Sequence, residues 1–409
     1  MAFGDGPEDK ALKEAWSAFC DKLKSAGDQV FKDYNPASPL QRADGFRFLT
    51  QNLGQAFDLA LETKDTRYPA LHAFCSPTRK LGGDNADFTY VQAWIDGQSV
   101  YRISGNRGTA RFINFAVQGP RSTAAYGGGA KRPLHEPFGD VPEANLFGHE
   151  LKCDPDGGFE LYIGGPEREP NWLPTTPGTR KLFLRQGFDS WDEIPATMRI
   201  ERVDMAEPPP MPTPRTMIDA FEWAGGFITG MMNDWPDWPF EQGGVDYQNP
   251  NSFPPLDNVD ADKKRGRSIN NMYWEIGPDE ALIVEFDNYD ALWAFTNMGQ
   301  FMNSMDYLYR PVSYSPARSK VDADGRVRFV MTHRDPGYHN WIDTQGFEVG
   351  NLTHRTLLST EEVQIDTRLV KLDDLDAAMH PTSAKCTKEE RVAQMWARYH
   401  SIRRRYALL

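Results

Sequence analysis

Asn340-Trp341-Ile342-Asp343-Thr344 decides the fold, because Asn171-Trp172-Leu173-Pro174-Thr175 has the same pattern earlier in the chain. Each stretch follows an Asp-Gly pair and an alternating apolar run, and each is followed by an arginine, Arg185 in the first half and Arg355 in the second. A recurrence of this kind predicts one fold unit that is present twice. We therefore expect the shared residues to be scaffold and the chemistry to lie where the two copies differ.

Length, charge and cysteine content narrow the class of protein. The chain has 409 residues, more than a single core usually supports, so we expect two domains. The formal charge of -13 argues against a nucleic-acid or membrane partner, because both require a basic surface. The N-terminus is acidic and Gly-rich, no stretch reaches the roughly 18 apolar residues of a membrane span, and the four cysteines are scattered. These features predict a cytoplasmic protein without disulfides.

The residue patterns predict a mainly β protein with added helices. Apolar residues at three- and four-residue steps predict a helical pair at the N-terminus, and Thr387 with Glu390 gives the capping-box signal of a C-terminal helix. Between them, short alternating runs and Gly-rich turns predict two duplicated jelly-roll-like β-sandwich domains. A short helix is also expected over residues 289–301.

We expect six segments along the chain. They are an N-terminal helical segment (1–80), a first jelly-roll-like β domain (81–206), a Pro-rich linker (207–214), a helix with a Trp- and Pro-rich loop (215–267), a second jelly-roll-like β domain (268–375) and a C-terminal helix (383–409). The linker is expected to be stiff and extended, because proline lacks the N–H that a helix or sheet needs.

Several motifs resemble a known bacterial family. Gly82-Gly83-Asp84-Asn85-Ala86-Asp87, Tyr101-Arg102-Ile103-Ser104-Gly105 and the first Asn-Trp stretch resemble proteins catalogued as domain of unknown function 1214 (DUF1214), often accompanied by domain 1254 (DUF1254). Asp335-Pro336-Gly337 with the second Asn-Trp stretch looks like the signature of that family's C-terminal unit. The resemblance covers most of residues 82–355. It implies a pair of jelly-roll-like domains, similar in topology to double jelly-roll capsid proteins, and no agreed activity.

The histidines of the second copy are the sharpest candidates for chemistry. His333, His339 and His354 are three of the eight histidines in the chain, and they fall within one supersecondary unit. Alternation places His333 on the inner face of a strand and His354 beside Leu352 on the inner face of the returning strand. Because imidazole changes its charge near neutral pH, we expect His333 and His339 to carry protons in catalysis.

Neighbouring polar groups complete this predicted catalytic site. Asp335 lies on the connecting turn and would orient one of the histidines, while Tyr338 or Arg355 would stabilise developing charge. No cofactor is expected. A divalent transition metal held by the three histidines is an alternative, although the spacing is weak compared with a true ligand signature. A structural role for the histidines, as hydrogen-bonded core or rim residues, stays open as well.

Aromatic residues predict where a substrate would bind. Trp235, Trp238 and Phe240 in the Pro-rich loop could form an apolar wall for a hydrophobic or sugar-like ligand, or they could pin the loop to the domain. Trp341 and His354 complete the predicted substrate-binding set. For Trp341 a structural role is favoured, because an indole can plug the end of a sandwich while its N–H meets a carbonyl.

Together these residues predict a cytoplasmic enzyme that acts on a small apolar or ring-containing organic molecule. The reaction would be of lyase, hydratase or hydrolase type, by acid-base transfer in the C-terminal β domain. Two other functions stay open: a non-catalytic protein that binds carbohydrate or another small ligand, and a symmetric assembly protein. The expected partners are a small-molecule substrate and further copies of the chain in a homo-oligomer.

Overall fold

The computed structural model describes residues 6–120, 140–205, 207–241, 248–255, 260–262 and 267–407. Within these ranges, residues 238–241, 260–262 and 267 are described in their backbone only. The described chain is mainly β, with four sheets and a small number of helices, as the sequence predicts.

The first β unit is a sandwich of two sheets. Its described strands are β1 (His72–Cys75), β2 (Phe88–Trp94), β3 (Tyr101–Asn106), β4 (Phe112–Gly119), β5 (Val141–Phe147), β6 (Gly158–Ile163), β7 (Trp172–Leu173), β8 (Lys181–Gly187) and β9 (Thr197–Arg202). One sheet has the strand order β1-β2-β8-β4-β5 and the other has the order β7-β6-β3-β9. The strand pairs are antiparallel except for β6 with β7.

The second β unit has the same topology. Its described strands are β10 (Asp260–Asp262), β11 (Arg267–Glu275), β12 (Glu280–Asp287), β13 (Leu292–Met298), β14 (Ser313–Tyr314), β15 (Arg326–Thr332), β16 (Trp341–Asp343), β17 (Val349–Leu357) and β18 (Asp366–Lys371). Their orders, β10-β11-β17-β13-β14 and β16-β15-β12-β18, repeat those of the first unit strand for strand. This match confirms the predicted duplication, and the sandwich form fits the jelly-roll-like description.

The repeated asparagines explain part of the repeated sequence. The Asn171 side-chain amide donates to the carbonyl oxygens of Lys152 (2.9 Å) and Glu160 (2.8 Å), and its oxygen accepts from the Lys152 N–H (2.8 Å). Asn340 makes the same three bonds to the equivalent backbone groups of the second unit. Each asparagine thus satisfies backbone groups of a turn, which makes it scaffold, as expected.

Each sandwich has its own apolar core between its two sheets. In the first unit, Phe115 and Leu184 belong to the same core as Ile103 and Leu161 of the facing sheet. The second core also includes Ile402 of the C-terminal helix. Both cores follow from strand alternation, which places every second side chain on the inner face.

Three helices form a further layer beside the sandwiches. They are α1 (Pro7–Asp28), α2 (Pro39–Phe57) and α3 (Pro214–Glu241), and they share an apolar core that includes Phe48 and Phe227. This layer confirms the predicted N-terminal helical pair and adds α3 to it. No helix in the described ranges is long and apolar enough to cross a membrane.

The C-terminal helix begins where the capping box predicts. After the short α4 (Leu375–Ala378), α5 (Lys388–Arg405) starts at Thr387, whose hydroxyl accepts from the Glu390 N–H (3.2 Å). The Glu390 carboxylate accepts from the Thr387 N–H in return (2.8 Å). This reciprocal pair satisfies two N–H groups that the helix itself leaves without partners.

The helix predicted over residues 289–301 is wrong, because this stretch contains β13. Every residue of β13 is buried. Phe295 faces the sandwich core, while Leu292 packs against Phe88 of the first unit and the Thr296 hydroxyl donates to Asn85 (3.1 Å). A strand that is buried on both faces has no polar alternation, so its periodicity cannot be told from that of a buried helix.

The segment predicted as a helix and a long loop (215–267) contains more regular structure than expected. α3 continues to Glu241, so Trp235 lies in a helix, and β10 occupies part of the predicted loop. Residues 242–247, 256–259 and 263–266 lie outside the described residues. In the same way, β1 lies inside the segment (1–80) predicted to be helical. Of the predicted linker (207–214), residues 208–213 are exposed chain without helix or strand, and Pro214 begins α3.

Candidate functional site

The three predicted histidines do not meet. Within the described residues, the group of possible metal ligands that lie close together contains none of them. His333 is half-buried just after β15, with Nε2 2.9 Å from the Ile276 carbonyl oxygen and Nδ1 2.7 Å from the Thr344 hydroxyl. Both ring nitrogens are therefore engaged with the scaffold, and this geometry does not fit a metal held by the three histidines.

His354 lies on the inner face of β17, as alternation predicts. It is 3% exposed, its ring centroid is 4.8 Å from that of Phe295, and its Nε2 is hydrogen-bonded to the Tyr289 hydroxyl (3.0 Å). Burial lowers the pKa of His354 to about 3, so the ring is neutral at physiological pH. These contacts make it a core residue, and the predicted role in substrate binding does not fit them.

Asp335, Tyr338 and His339 form the surface on which α5 docks. Arg391 of α5 donates to both Asp335 carboxylate oxygens (2.9 and 3.3 Å) and to the carbonyl oxygens of Tyr338 and His339. Tyr338 is 3% exposed, and its hydroxyl donates to Asp376 (2.7 Å). A guanidinium that binds several acceptors of one turn is a structural anchor. Of the predicted residues Asp335, Tyr338 and His339, His339 alone lines one of the larger cavities in the described chain.

Arg355 lies between the two sandwiches, where it follows His354 on β17. It is half-buried on β17, and its guanidinium donates to the Gly83 carbonyl oxygen. Arg185 lies on β8, the matching strand of the first unit, and both arginines line a cavity of about 60 Å³ together with Tyr90. Such a space holds a few waters at most, so this geometry favours a scaffold role for Arg355.

Of the predicted aromatic wall, only the side chain of Trp235 is described, and it lies in a core rather than at a ligand surface. Trp235 is 6% exposed and belongs to the core of the helical layer. Trp341 is 8% exposed, and its indole N–H donates to the Thr332 carbonyl oxygen (3.4 Å), as the structural alternative expected. The side chains of Trp238 and Phe240 lie outside the described part of the chain.

One group of possible metal ligands does come together in the described chain. Asp322, Asp324 and His380 have ligand atoms within 4.8 Å of one another. However, Arg328 donates to both carboxylates, at 2.6 and 2.7 Å, and its hydrogen bonds hold the pKa of Asp324 well below its usual value. Because the Arg328 guanidinium already pairs with both carboxylates, we assign no metal to this group.

A different cavity brings together ionisable groups that are far apart in the sequence. It has a volume of about 290 Å³ and lies between α2 and the loop that follows β13; we call it the α2 cavity. α2 approaches this loop closely at Gly45, where a Cβ would lie 2.9 Å from the Phe301 ring. The polar side chains of the lining are those of Asp44, Arg47, Gln51, Lys80, Asn303, Ser304, Asp306, Arg310 and Gln345.

Lys80 is the most unusual group of the α2 cavity. It is 3% exposed, its ammonium lies 3.3 Å from the centre of the Tyr307 ring, and it donates to the Ser304 hydroxyl (2.9 Å). Ser304 in turn donates its hydroxyl (2.6 Å) and its N–H (3.0 Å) to the Asp84 carboxylate. Burial lowers the pKa of Lys80 to about 8, against the opposing effect of Asp84 and Asp306.

Asp44 is the counterpart of Lys80 in the α2 cavity. Burial raises its pKa, while the hydrogen bond from the Asn303 amide (2.8 Å) and the charges of Arg47 and Lys80 act in the opposite direction. The α2 cavity therefore holds a carboxyl group that gains a proton more easily than usual and an amine that loses one more easily. Pairs of groups shifted in this way are typical of sites that transfer protons.

The wall of the α2 cavity that faces α2 has a constrained backbone. Met302 and Gln345 have φ angles of 50° and 58°, in the left-handed region that residues other than glycine seldom adopt. Gln345 accepts from the Asp306 N–H (3.3 Å) and donates to the Asp306 carbonyl oxygen (3.1 Å). Backbone strain of this kind is concentrated at functional sites.

Sequence reasoning missed this site because its parts come from distant segments. Asp44 lies on α2, Lys80 follows β1, and Ser304 lies in the second unit. One signal was available: Lys80 stands just before the Gly82 to Asp87 run on which the family resemblance rests, and Asp84 belongs to that run.

Comparisons with known proteins identify the fold but no activity. No protein-family model and no curated protein matches the chain. Among solved structures, the chain is similar to an uncharacterized protein from Burkholderia cenocepacia, with 29% identity over 91% of this chain and 100% of that one, and a TM-score of 0.78. A protein from Vibrio parahaemolyticus matches with 11% identity over 86% of this chain and 100% of that one, at a TM-score of 0.43 that supports no conclusion. The chain thus has the overall fold of the Burkholderia protein along nearly its whole length.

Proposed function

We propose that this protein is an enzyme that transfers protons on a small organic molecule in the α2 cavity, with Lys80 as the general base and Asp44 as the general acid. The observation that carries the proposal is the buried Lys80 amine, which lines a cavity and donates to Ser304 at 2.9 Å. The proposal keeps the acid-base chemistry expected from the sequence and moves it away from the histidines.

Lys80 has the properties of a base that works near neutral pH. With a pKa of about 8, a useful fraction of the amine is neutral there, whereas an ordinary lysine is almost wholly charged. A neutral amine still has an N–H for the Ser304 hydroxyl, and its lone pair can accept a proton from a substrate. Ser304 donates its own hydroxyl proton to Asp84, so its role is to orient Lys80 rather than to attack the substrate.

Asp44 can return the proton. Burial raises its pKa, so more of it is protonated than of an exposed aspartate, and the Asn303 amide fixes one carboxyl oxygen. After the two transfers Lys80 is positive and Asp44 negative, and these opposite charges in one cavity stabilise each other.

The lining indicates a substrate of mixed character. Leu40, Met305 and Phe347 supply apolar walls, while Arg47 and Arg310 supply positive charge. A carboxylate or a polarised carbonyl oxygen would lie toward the arginines, since guanidinium groups match such oxygens in geometry and charge. The cavity is more polar than the apolar or ring-containing substrate expected from the sequence requires. Proton removal next to a carbonyl would begin a lyase or hydratase reaction.

Isotope exchange tests this function with a panel of candidate substrates. The protein is incubated in D₂O with small 2-oxo, 3-oxo and 2-hydroxy carboxylic acids, and mass spectrometry follows deuterium uptake at carbon. We expect at least one compound to exchange faster than it does with boiled protein. Binding of panel members without exchange would favour the alternative of a non-catalytic ligand-binding protein.

Other expectations from the sequence stay predictions. The cytoplasmic location, the homo-oligomer and the resemblance to DUF1214 belong to this proposal. Cys20, Cys75, Cys153 and Cys386 are all free thiols, which suits a reducing compartment.

A further inference from the structure

A second cavity in the described chain shares no lining residue with the α2 cavity. It has a volume of about 530 Å³ and is enclosed by α5, residues 311–320 and the turn after β8; we call it the α5 cavity. This volume is in the range of small-molecule sites. The α5 cavity is therefore a separate candidate site.

A buried cluster of arginines lies beneath the α5 cavity. Arg318, Arg398 and Arg405 are 8%, 2% and 7% exposed. Asp87 pairs with Arg318 at 2.5 Å, while the Glu193 carboxylate accepts from nearby backbone N–H groups. The arginine charges of this cluster thus exceed the carboxylate charge paired with them, and buried charges normally have partners.

Several guanidinium nitrogens of this cluster lack a hydrogen-bond acceptor among the described residues. They are Nη1 of Arg318, Nε of Arg398 and all three nitrogens of Arg405. Burial lowers the pKa of Arg398 to about 9 and that of Arg405 to about 10, and repulsion from Arg318 adds to both shifts. Unpaired buried donors are rare in folded proteins and commonly mark the place of a ligand or a water.

Trp191 fixes two of these arginines at the cavity wall. The guanidinium groups of Arg318 and Arg398 lie 4.2 and 4.8 Å from the centre of its ring, and all three residues line the α5 cavity. Such stacking holds a guanidinium in place without using its N–H donors.

The rest of the lining sets the charge and shape of a ligand. Three lining residues carry a positive charge: Arg318, Lys320 and Arg398. Two carry a negative charge, Asp192 and Glu390, so the lining has one net positive charge. Pro311, Met395 and three alanines give the cavity apolar walls as well. A monoanion with an apolar body matches both features better than a small inorganic anion does.

We propose that the α5 cavity binds a small organic carboxylate, attracted by Arg318 and Arg398 at its inner wall and by the exposed Lys320 at its open side. The ligand's apolar body lies against α5. This site is independent of proton transfer in the α2 cavity, so its occupant is a second ligand of the protein.

A matched pair of variants on α5 tests this proposal. Ala393 and Val392 are adjacent and exposed, but only Ala393 lines the α5 cavity. Calorimetry with benzoate as the probe is expected to show that Ala393→Glu weakens binding by about tenfold or more, because it places a like charge beside the carboxylate. Val392→Glu adds the same charge outside the cavity and should change the affinity by less than about twofold, since solvent and salt screen it.

Further measurements separate the alternatives. Lys320→Gln should weaken benzoate binding by about threefold to tenfold through loss of a charge-assisted contact. Equal losses of benzoate affinity in Ala393→Glu and Val392→Glu would overturn the proposal. They would indicate that the added charge acts through the electrostatic potential of the whole surface rather than inside the α5 cavity. Tight binding of inorganic phosphate with no binding of benzoate would also overturn it in favour of a phosphate site. Failure of the wild-type protein to bind benzoate, acetate or phosphate would rule out an anion site here.

Discussion

Lys80→Met is expected to lower the proton-exchange rate by about 10²- to 10⁴-fold, the usual contribution of a positioned acid or base. Methionine keeps the length and apolar stem of lysine but has no amine to accept a proton. Deuterium uptake requires only the base, because Lys80 can remove the proton and return a deuteron. In the wild-type protein the rate of uptake should therefore rise as the pH increases through about 8, where Lys80 becomes neutral. The measurement is deuterium uptake at carbon in D₂O across a pH series.

Lys80→Arg is the matched control for charge. Arginine preserves a cation beside the Asp84 carboxylate, so the polar network around Ser304 keeps its balance, but a guanidinium does not release its proton at these pH values. Both variants should therefore lose exchange, while Lys80→Arg should retain more of the wild-type stability. A Lys80→Arg protein with wild-type exchange would show that Lys80 is not the base.

Asp84→Asn is expected to destabilise the protein by about 3 kcal/mol, because it removes the negative charge that does most to favour the charged form of the buried Lys80. Asp84 is 3% exposed and accepts two hydrogen bonds from Ser304, which link the first unit to the second. The amide can replace one of these acceptors but not the charge. The measurement is the free energy of unfolding from denaturant titration.

Two further variants show whether the loss of stability in Asp84→Asn is caused by the loss of its charge. Asp290→Asn changes a fully exposed aspartate in the second unit and should leave the stability unaltered. The double variant Lys80→Met with Asp84→Asn should be less destabilised than the two single changes added together, since it removes both buried charges. Additive losses would contradict the pairing of Lys80 with Asp84.

The duplicated fold could be predicted from the sequence because its signals are local. The Asn-Trp stretches mark equivalent turns, and Asn171 and Asn340 make the same three bonds in each unit. The capping box of Thr387 and Glu390 likewise marks the start of α5. The prediction of a helix at β13 was wrong for a physical reason: the strand is buried on both faces and therefore lacks the alternation that identifies a strand.

The candidate site could not be predicted because it depends on tertiary contacts. In the sequence, Lys80 looks like an ordinary surface lysine, and only the packing of α2 and the loop after β13 buries it. The histidines were more conspicuous, but His333 and His354 bond to the scaffold around them. A residue type suited to catalysis therefore carried less information than the burial of a charged residue beside a cavity.

The most direct test of the proposed base is an NMR titration of the Lys80 side chain in the intact protein. The ¹³Cε signal of Lys80 can be assigned by its loss in Lys80→Arg, and its chemical shift followed from neutral to alkaline pH. We predict a midpoint near pH 8, well below that of the surface lysines. A midpoint equal to that of the surface lysines would contradict the proposed function, because Lys80 would then be fully charged at neutral pH and unable to act as the base.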